Sequence, residues 1–137
     1  MRDILFRGKR KDNEKWVEGY YAVKTICSIR NTYLAPVICS KPKGLYDDRW
    51  FEIIPSTIGQ YTGLKDKNGK KIFEGDIVKT QWIAKITEVY TVIYDDEIAA
   101  FCGKNVKDAG IRTFDDDLAF REVIGNIHDN PELLKNT

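Results

Sequence analysis

Histidine is almost missing from this chain of 137 residues: His128 is the only one, and it stands in the polar turn His128-Asp129-Asn130-Pro131. A lone histidine in such a turn more often hydrogen-bonds the backbone than shuttles protons, so imidazole chemistry is not expected. Cysteine is sparse and scattered. The closest pair, Cys27 and Cys39, has eleven residues between its members, whereas structural zinc sites draw their ligands in close pairs. No metal site is expected, and three cysteines without pairing fit a reducing cytoplasm better than a disulfide framework. All three lie in or beside apolar strands, where a buried thiol acts as a small hydrophobe. Long apolar runs are lacking too. The longest is Ile98–Cys102, far short of the ~20 residues that cross a bilayer, so no membrane association is expected. No charged-then-apolar leader precedes Arg2-Asp3, so export is not expected either.

A surplus of one charge is missing as well. Twenty-two Lys/Arg against 21 Asp/Glu leave a formal charge of +1, which excludes a global polyelectrolyte. The distribution is nonetheless uneven: residues 1–79 carry 16 basic and 10 acidic side chains (+6), and residues 80–137 carry 6 and 11 (−5). Such asymmetry either steers a polyanion to the first half or lets two copies meet head to tail. An incidental imbalance on a solvated surface is the plainer reading. A chain of this length folds as one domain, or as one with an appended hairpin subdomain, without help from metal or disulfide.

What the chain has in abundance is strand chemistry. Ten of the eighteen residues from Ile77 to Tyr94 are Val, Ile or Thr, with Trp82, Tyr90 and Tyr94 added. Such side chains crowd a helix and pack well on a pleated surface. Asp95-Asp96-Glu97 interrupts the run and Ile98–Cys102 resumes it, which predicts a hairpin with a wet, acidic tip. Ile4–Arg7 and Trp16–Val23 flank the polar Lys9–Lys15 and predict another. Tyr33–Cys39 and Trp50–Ile54 predict two more strands, parted by a loop holding Pro42, Gly44 and Asp47-Asp48. Asn68-Gly69 predicts a type I′ turn with both residues at positive φ, and Glu74-Gly75-Asp76 turns the chain into the strand at Ile77.

Helix is scarce. Asp115–Arg121 has the length for two turns. Asn130-Pro131-Glu132 starts a last short one, with Asn as cap, Pro at the first position and Glu complementing the dipole. Short strands and tight turns predict a mainly β fold, a small barrel or roll.

Catalytic signals fail one by one. Gly63–Lys71 has the outline of a phosphate-binding loop, but five residues separate Gly63 from Gly69 where four are needed. Lys71 also stands where Ser or Thr must hold magnesium. No nucleotide or other cofactor is expected. Asp95–Glu97 and Asp115–Asp117 are consecutive runs, whereas calcium loops alternate their ligands around a glycine. No set of base, nucleophile or metal ligands survives, so the chain is read as not an enzyme.

Nucleic-acid binding has some positive support. Arg7, Lys9, Arg10 and Lys11 form a compact basic run, and Lys65, Lys67 and Lys70 with Lys71 populate a second hairpin. Trp16 and Tyr61 lie close enough in sequence to stack on bases. These residues are the candidate contacts for nucleic acid or for a protein partner. Against a polyanion stand Asp12, Glu14, Glu18 and Asp66, interspersed among the bases. Lysine at hairpin tips also keeps exposed edges soluble.

Three segments, read in order, carry a family resemblance: GQYTGLKDKNGK (Gly59–Lys70), FEGDIV (Phe73–Val78) and VIGNIHDNPEL (Val123–Leu133). With the opening Met1–Gly8 strand and the run to Tyr21, they resemble the YopX-like family of small phage and prophage proteins. The likeness is loose over residues 24–49 and 103–119. It implies a carboxy-terminal SH3-like β-barrel over residues 55–137, preceded by a smaller β-hairpin subdomain over residues 1–54. It also implies a phage or prophage origin and work in the host cytoplasm, and it supplies no catalytic residues. The expected role is a non-enzymatic interaction module forming homo-oligomers, with a phage or host protein as a further partner. Three Trp, seven Tyr and six Phe, more than a small barrel needs, favour that role. The alternative is a nucleic-acid-binding protein using the basic amino-terminal hairpin.

Overall fold

The computed structural model describes residues 4–40, 49–81, 87–114 and 121–135. Its strands form where β-branched and aromatic residues concentrate. In chain order they are β1 (Phe6–Lys9), β2 (Trp16–Cys27), β3 (Thr32–Cys39), β4 (Trp50–Glu52), β5 (Gly59–Lys65) and β6 (Lys71–Phe73). β7 (Asp76–Gln81), β8 (Thr87–Asp95), β9 (Ala100–Asn105), β10 (Ile111–Thr113) and β11 (Arg121–Asn126) follow. Helix is confined, among the described residues, to 3-10 turns at Pro55–Thr57 and Pro131–Leu134. None of it is long and apolar enough to cross a membrane. The strands make two antiparallel sheets, in the orders β4-β3-β2-β1-β5-β6 and β10-β9-β8-β7-β11, and neither closes among the described residues. The mainly β expectation holds. The chain divides into two compact units, Met1–Gln60 and Tyr61–Thr137.

In the first unit, β2 pairs with β1 from Phe6↔Gly19 to Lys9↔Trp16. It then continues against β3, from Tyr20↔Cys39 to Cys27↔Thr32. β4 covers only Val37–Cys39 of β3. The chain after β1 returns to the far side of β4: the Lys11 N–H donates to the Glu52 carbonyl at 2.9 Å, and the Ile54 N–H donates to that of Lys9 at 2.8 Å. Ala35, Val37, Ile38 and Ile53 are the buried apolar centre. Gly19 marks the tightest approach, since a Cβ there would fall on the Cys39 carbonyl oxygen.

The second unit is built on Ile72, Val78 and Val92, with Leu64, Phe114 and Val123 packed against them. The β5–β6 turn is not of type I′. Gly69 has φ +81°, but Asn68 is not at positive φ. The Gly69 N–H donates to the Asp66 carbonyl at 3.0 Å, and the Asp66 N–H to that of Lys70 at 2.8 Å. This is a type I turn followed by a left-handed glycine. Asp66 is the reason, because its Oδ1 accepts from the Asn68 and Lys70 N–H groups at 2.8 and 2.9 Å and holds the turn in that form. A Cβ on Gly69 would meet nothing within 4 Å, so Gly69→Val tests backbone conformation alone. It should cost about 1–2 kcal/mol, the strain of a non-glycine residue held there, and lower the melting temperature. An unchanged melting temperature would contradict the left-handed assignment.

Other expectations shift. The strand after the acidic turn begins at Ala100, not Ile98. Of the expected helix at Asp115–Arg121, residues 115–120 lie outside the described residues, as do Trp82, the Pro42–Asp48 loop and the Asp115–Asp117 run. Arg121 itself opens β11 and pairs with Thr80. Asn130 makes no side-chain cap for the last turn; its Oδ1 instead accepts from the Asn126 N–H at 3.2 Å. The thiols are not alike either: Cys102 is buried and Cys39 half-buried, but Cys27 is exposed. Cys27 ends β2 on a stretch of ribbon with little packed against it, so the expectation of a buried thiol fails there. Burial pushes the Cys102 thiol up.

Candidate functional site

Strand alternation sorts the side chains of β1–β4 onto two faces. Register places Arg7, Lys9, Trp16, Lys24, Tyr33, Trp50 and Glu52 on one face, and Phe6, Tyr21, Val23 and Leu34 on the other. On the first face, cations lie over rings. The Arg7 guanidinium is 4.7 Å and the Lys9 ammonium 5.6 Å from the Trp16 centroid. Lys24 lies 4.5 Å from Trp50, and Lys11 5.8 Å from Tyr33. On the second face, where register sets Phe51 with Tyr21, Arg10 stands 4.2 Å over Phe51.

An open cleft of about 520 Å³ is lined by Arg10, Lys11, Asp12, Tyr33, Trp50, Phe51 and Glu52. Glu52 is its hub, accepting from the Lys11 ammonium at 3.0 Å and from the Tyr33 hydroxyl at 3.1 Å. Arg10 donates to both Asp12 oxygens, at 3.0 and 2.7 Å. The hydrogen bonds to Glu52 raise the pKa of Lys11 and of Tyr33, and the Arg10 guanidinium holds Asp12 below its ordinary value. Exposed pairs of this kind contribute little to stability. Their consequence is chemical: the basic run is matched by its own carboxylates and covers its own aromatic faces.

The structure therefore brings Arg7, Lys9 and Trp16 together, and places Arg10 and Lys11 at the cleft. The remaining candidates, Tyr61, Lys65, Lys67 and Lys70, belong to the second unit. Tyr61 is buried, its ring 5.5 Å from Phe73, and serves as core and not as a stacking platform. Lys65, Lys67 and Lys70 are exposed on the β5–β6 hairpin, with the Lys67 ammonium 3.6 Å from Glu122.

Sequence reading missed Tyr33, Trp50, Phe51 and Glu52 as a set, because only the β2–β3–β4 register brings them to Arg10 and Lys11. It also missed a buried polar row in the second unit. Thr80, Tyr90, Asn105 and Arg121 are all buried, and register sets them on one face with Glu88. The Tyr90 hydroxyl donates to Glu88. Burial, then that carboxylate, raises its pKa. Arg121 stacks 4.6 Å over Phe114. The local signal was slight: only Glu88 and Tyr90 stand two apart on one strand, and the pairing of β7, β8, β9 and β11 supplies the rest. Among the described residues no cluster of His, Cys, Asp and Glu is placed to hold a metal ion.

The three segments singled out in the sequence meet in the second unit as stitching. Asp66 Oδ2 accepts from the Val123 N–H at 3.0 Å. The Gly75 N–H donates to the Val92 carbonyl and the Gly75 carbonyl accepts from the Ile127 N–H, both at 2.9 Å.

The family described as YopX protein matches residues 5–135 of the chain. The crystal structure of protein EF1440 from Enterococcus faecalis is similar in fold, with a TM-score of 0.57, 23% sequence identity, and coverage of 98% of this chain and 100% of that one. No curated protein matches.

Proposed function

We propose that this chain, which belongs to the YopX protein family, is a non-enzymatic interaction module that assembles into homo-oligomers. One observation carries the reading. Beyond the reach of β4, β2 and β3 continue as a two-stranded ribbon, and from Val23 to Leu34 every residue but Ile26 is exposed. An isolated two-stranded ribbon is only marginally stable in water. This one presents Val23 and Leu34, which are 57% and 72% exposed, on the same face as Tyr21, which is 42% exposed. Along Thr32–Ala35 the outer edge of β3 has no strand beside it among the described residues. Apolar side chains next to an open edge suit a protein partner.

In this reading the second unit is an SH3-like barrel that serves as scaffold. Its short antiparallel strands, and the β5–β6 hairpin tied to β11, support that assignment. The protein works in the cytoplasm of a bacterium carrying the phage or prophage, where the exposed Cys27 thiol stays reduced. Nucleic-acid binding is the weaker reading. Rings that would stack on bases are already covered by the chain's own cations, and Arg10 and Lys11 are matched by Asp12 and Glu52.

Sedimentation over a wide concentration range should show reversible self-association. Fluorescence anisotropy with random single- and double-stranded DNA and RNA near physiological salt should show no saturable binding. Saturable micromolar binding that weakens steeply with salt, and that Arg7, Lys9, Arg10 and Lys11→Gln abolishes, would reverse the ranking.

A further inference from the structure

The strands that end the two sheets all carry charge: Glu52 on β4, Lys71 on β6, Arg112 on β10, and Arg121 with Glu122 on β11. Charged side chains on an edge discourage further pairing. The open edge of β3 lacks that protection. Thr32-Tyr33-Leu34-Ala35 is uncharged, and among the described residues no strand lies beside it, because β4 pairs no further than Val37.

Hydrogen bonding fixes which groups this edge presents. In an antiparallel pair, opposite residues alternate between exchanging backbone bonds and exchanging none. The Ser28 N–H donates to the Asn31 carbonyl at 2.8 Å across the turn, so the next opposite pair, Cys27 and Thr32, exchanges none. At the other end the Pro36 carbonyl turns away from β2 and accepts from the Ile53 N–H at 3.1 Å. Both observations give the same phase. The N–H and C=O groups of Thr32 and Leu34 point outward, and Pro36 closes the edge, having no N–H and a carbonyl already bonded.

We infer that two copies join along this edge, β3 antiparallel to β3, about a two-fold axis at Tyr33. The inference rests on the homo-oligomer reading above and adds the surface and its register. Centred on Tyr33, Thr32 of each copy lies opposite Leu34 of the other, and every outward N–H and C=O of these residues finds a partner. Centred on Leu34, Thr32 would face Pro36 and stay unbonded. The occupant is a second copy because the edge is complementary to itself: the two-fold sets each donor against an acceptor and Tyr33 against its own counterpart. No charge stands at the seam, since Lys24 and Arg30, the only charged residues from Gly19 to Ser40, belong to β2 and to the turn. Joining also extends each ribbon beyond the two strands that are marginal alone. On one face it brings the exposed Leu34 side chains of both copies within reach of each other. Every residue in the contact belongs to the first unit.

Sedimentation of full-length variants tests this. Leu34→Pro removes an outward N–H and spares every backbone bond within a copy, as Pro36 does further along the same edge. It should raise the dissociation constant of the pair at least about tenfold, because each copy loses a donor to the other. Tyr33→Glu and Tyr33→Lys each set like charges opposite one another, and each alone should weaken the pair. Mixed in equal amounts, those two should form a one-to-one heterodimer, which also shows that both fold. If Leu34→Pro assembles like the wild type, or if mixing restores nothing, the edge pairing is wrong while self-association stands. A wild-type chain that stays monomeric at every concentration removes both this inference and the reading beneath it.

Discussion

Asp66→Ala should destabilise the second unit by about 3–4 kcal/mol: a hydrogen bond to a charged group contributes roughly 1.5–3 kcal/mol, and three that share one carboxylate do not add in full. The carboxylate is buried and accepts three backbone N–H groups: Asn68 and Lys70 in its own turn, and Val123 on β11. Alanine removes all three bonds at once. Chemical denaturation followed by tyrosine and tryptophan fluorescence gives the loss directly, and an unchanged midpoint would refute the assignment.

The same residue predicts a pH dependence. Burial alone would raise its pKa, but the N–H groups of Val123, Lys70 and Asn68, with the Lys70 ammonium, outweigh burial and hold it below the ordinary value. The folded-state pKa is thus the lower one. Its stabilisation is complete above the unfolded value of about 3.9 and fades as pH falls through the folded value. Wild-type stability should decline over that acid window. Asp66→Asn should be weaker at neutral pH and should lack that part of the decline.

Gly19→Ala should cost about 2–3 kcal/mol, the upper part of the range for overpacking. The sign matters more than the size. Replacing glycine inside a strand ordinarily gains roughly 0.5–1 kcal/mol by restricting the unfolded chain. Here the new methyl would fall on the Cys39 carbonyl oxygen and 3.0 Å from Ile38 Cγ2. A side chain could swing aside. A carbonyl in the β2–β3 ladder cannot move without breaking pairing. A denaturation midpoint that rises would mean that β2 and β3 pair in a different register.

Local chemistry was legible in the sequence and long-range chemistry was not. The β-branched run after Ile77 declared its strands because each residue carries its own preference. The Lys67–Gly69 turn was legible as a turn. Its type was not, because Asp66 sets it, and Asp66 read as a stray acid among lysines. Tyr61 read as an exposed ring beside a basic hairpin, whereas the pairing of β5 with β6 turns it onto Phe73. Cys27 read as buried because its neighbours are apolar, but burial depends on what packs over a ribbon. The cation–ring contacts around the cleft needed the register of three strands, which no single segment specifies.

The bond from Asp66 to Val123 also bears on how the protein is made. It links residues 57 apart in sequence, and the Gly75–Ile127 bond closes a comparable loop. Loop closure must be completed before such contacts give any return, so folding of this unit is slow for its size. Until Val123 is made, the β5–β6 hairpin has Asp66 Oδ1 bonded within its own turn but Oδ2 unanswered, and β7 has no β11 beside it. The second unit therefore cannot complete its native pairing before Val123 and Ile127 have been made. During that interval its β-branched strands are open to aggregation, and translation speed between β7 and β11 becomes a determinant of yield.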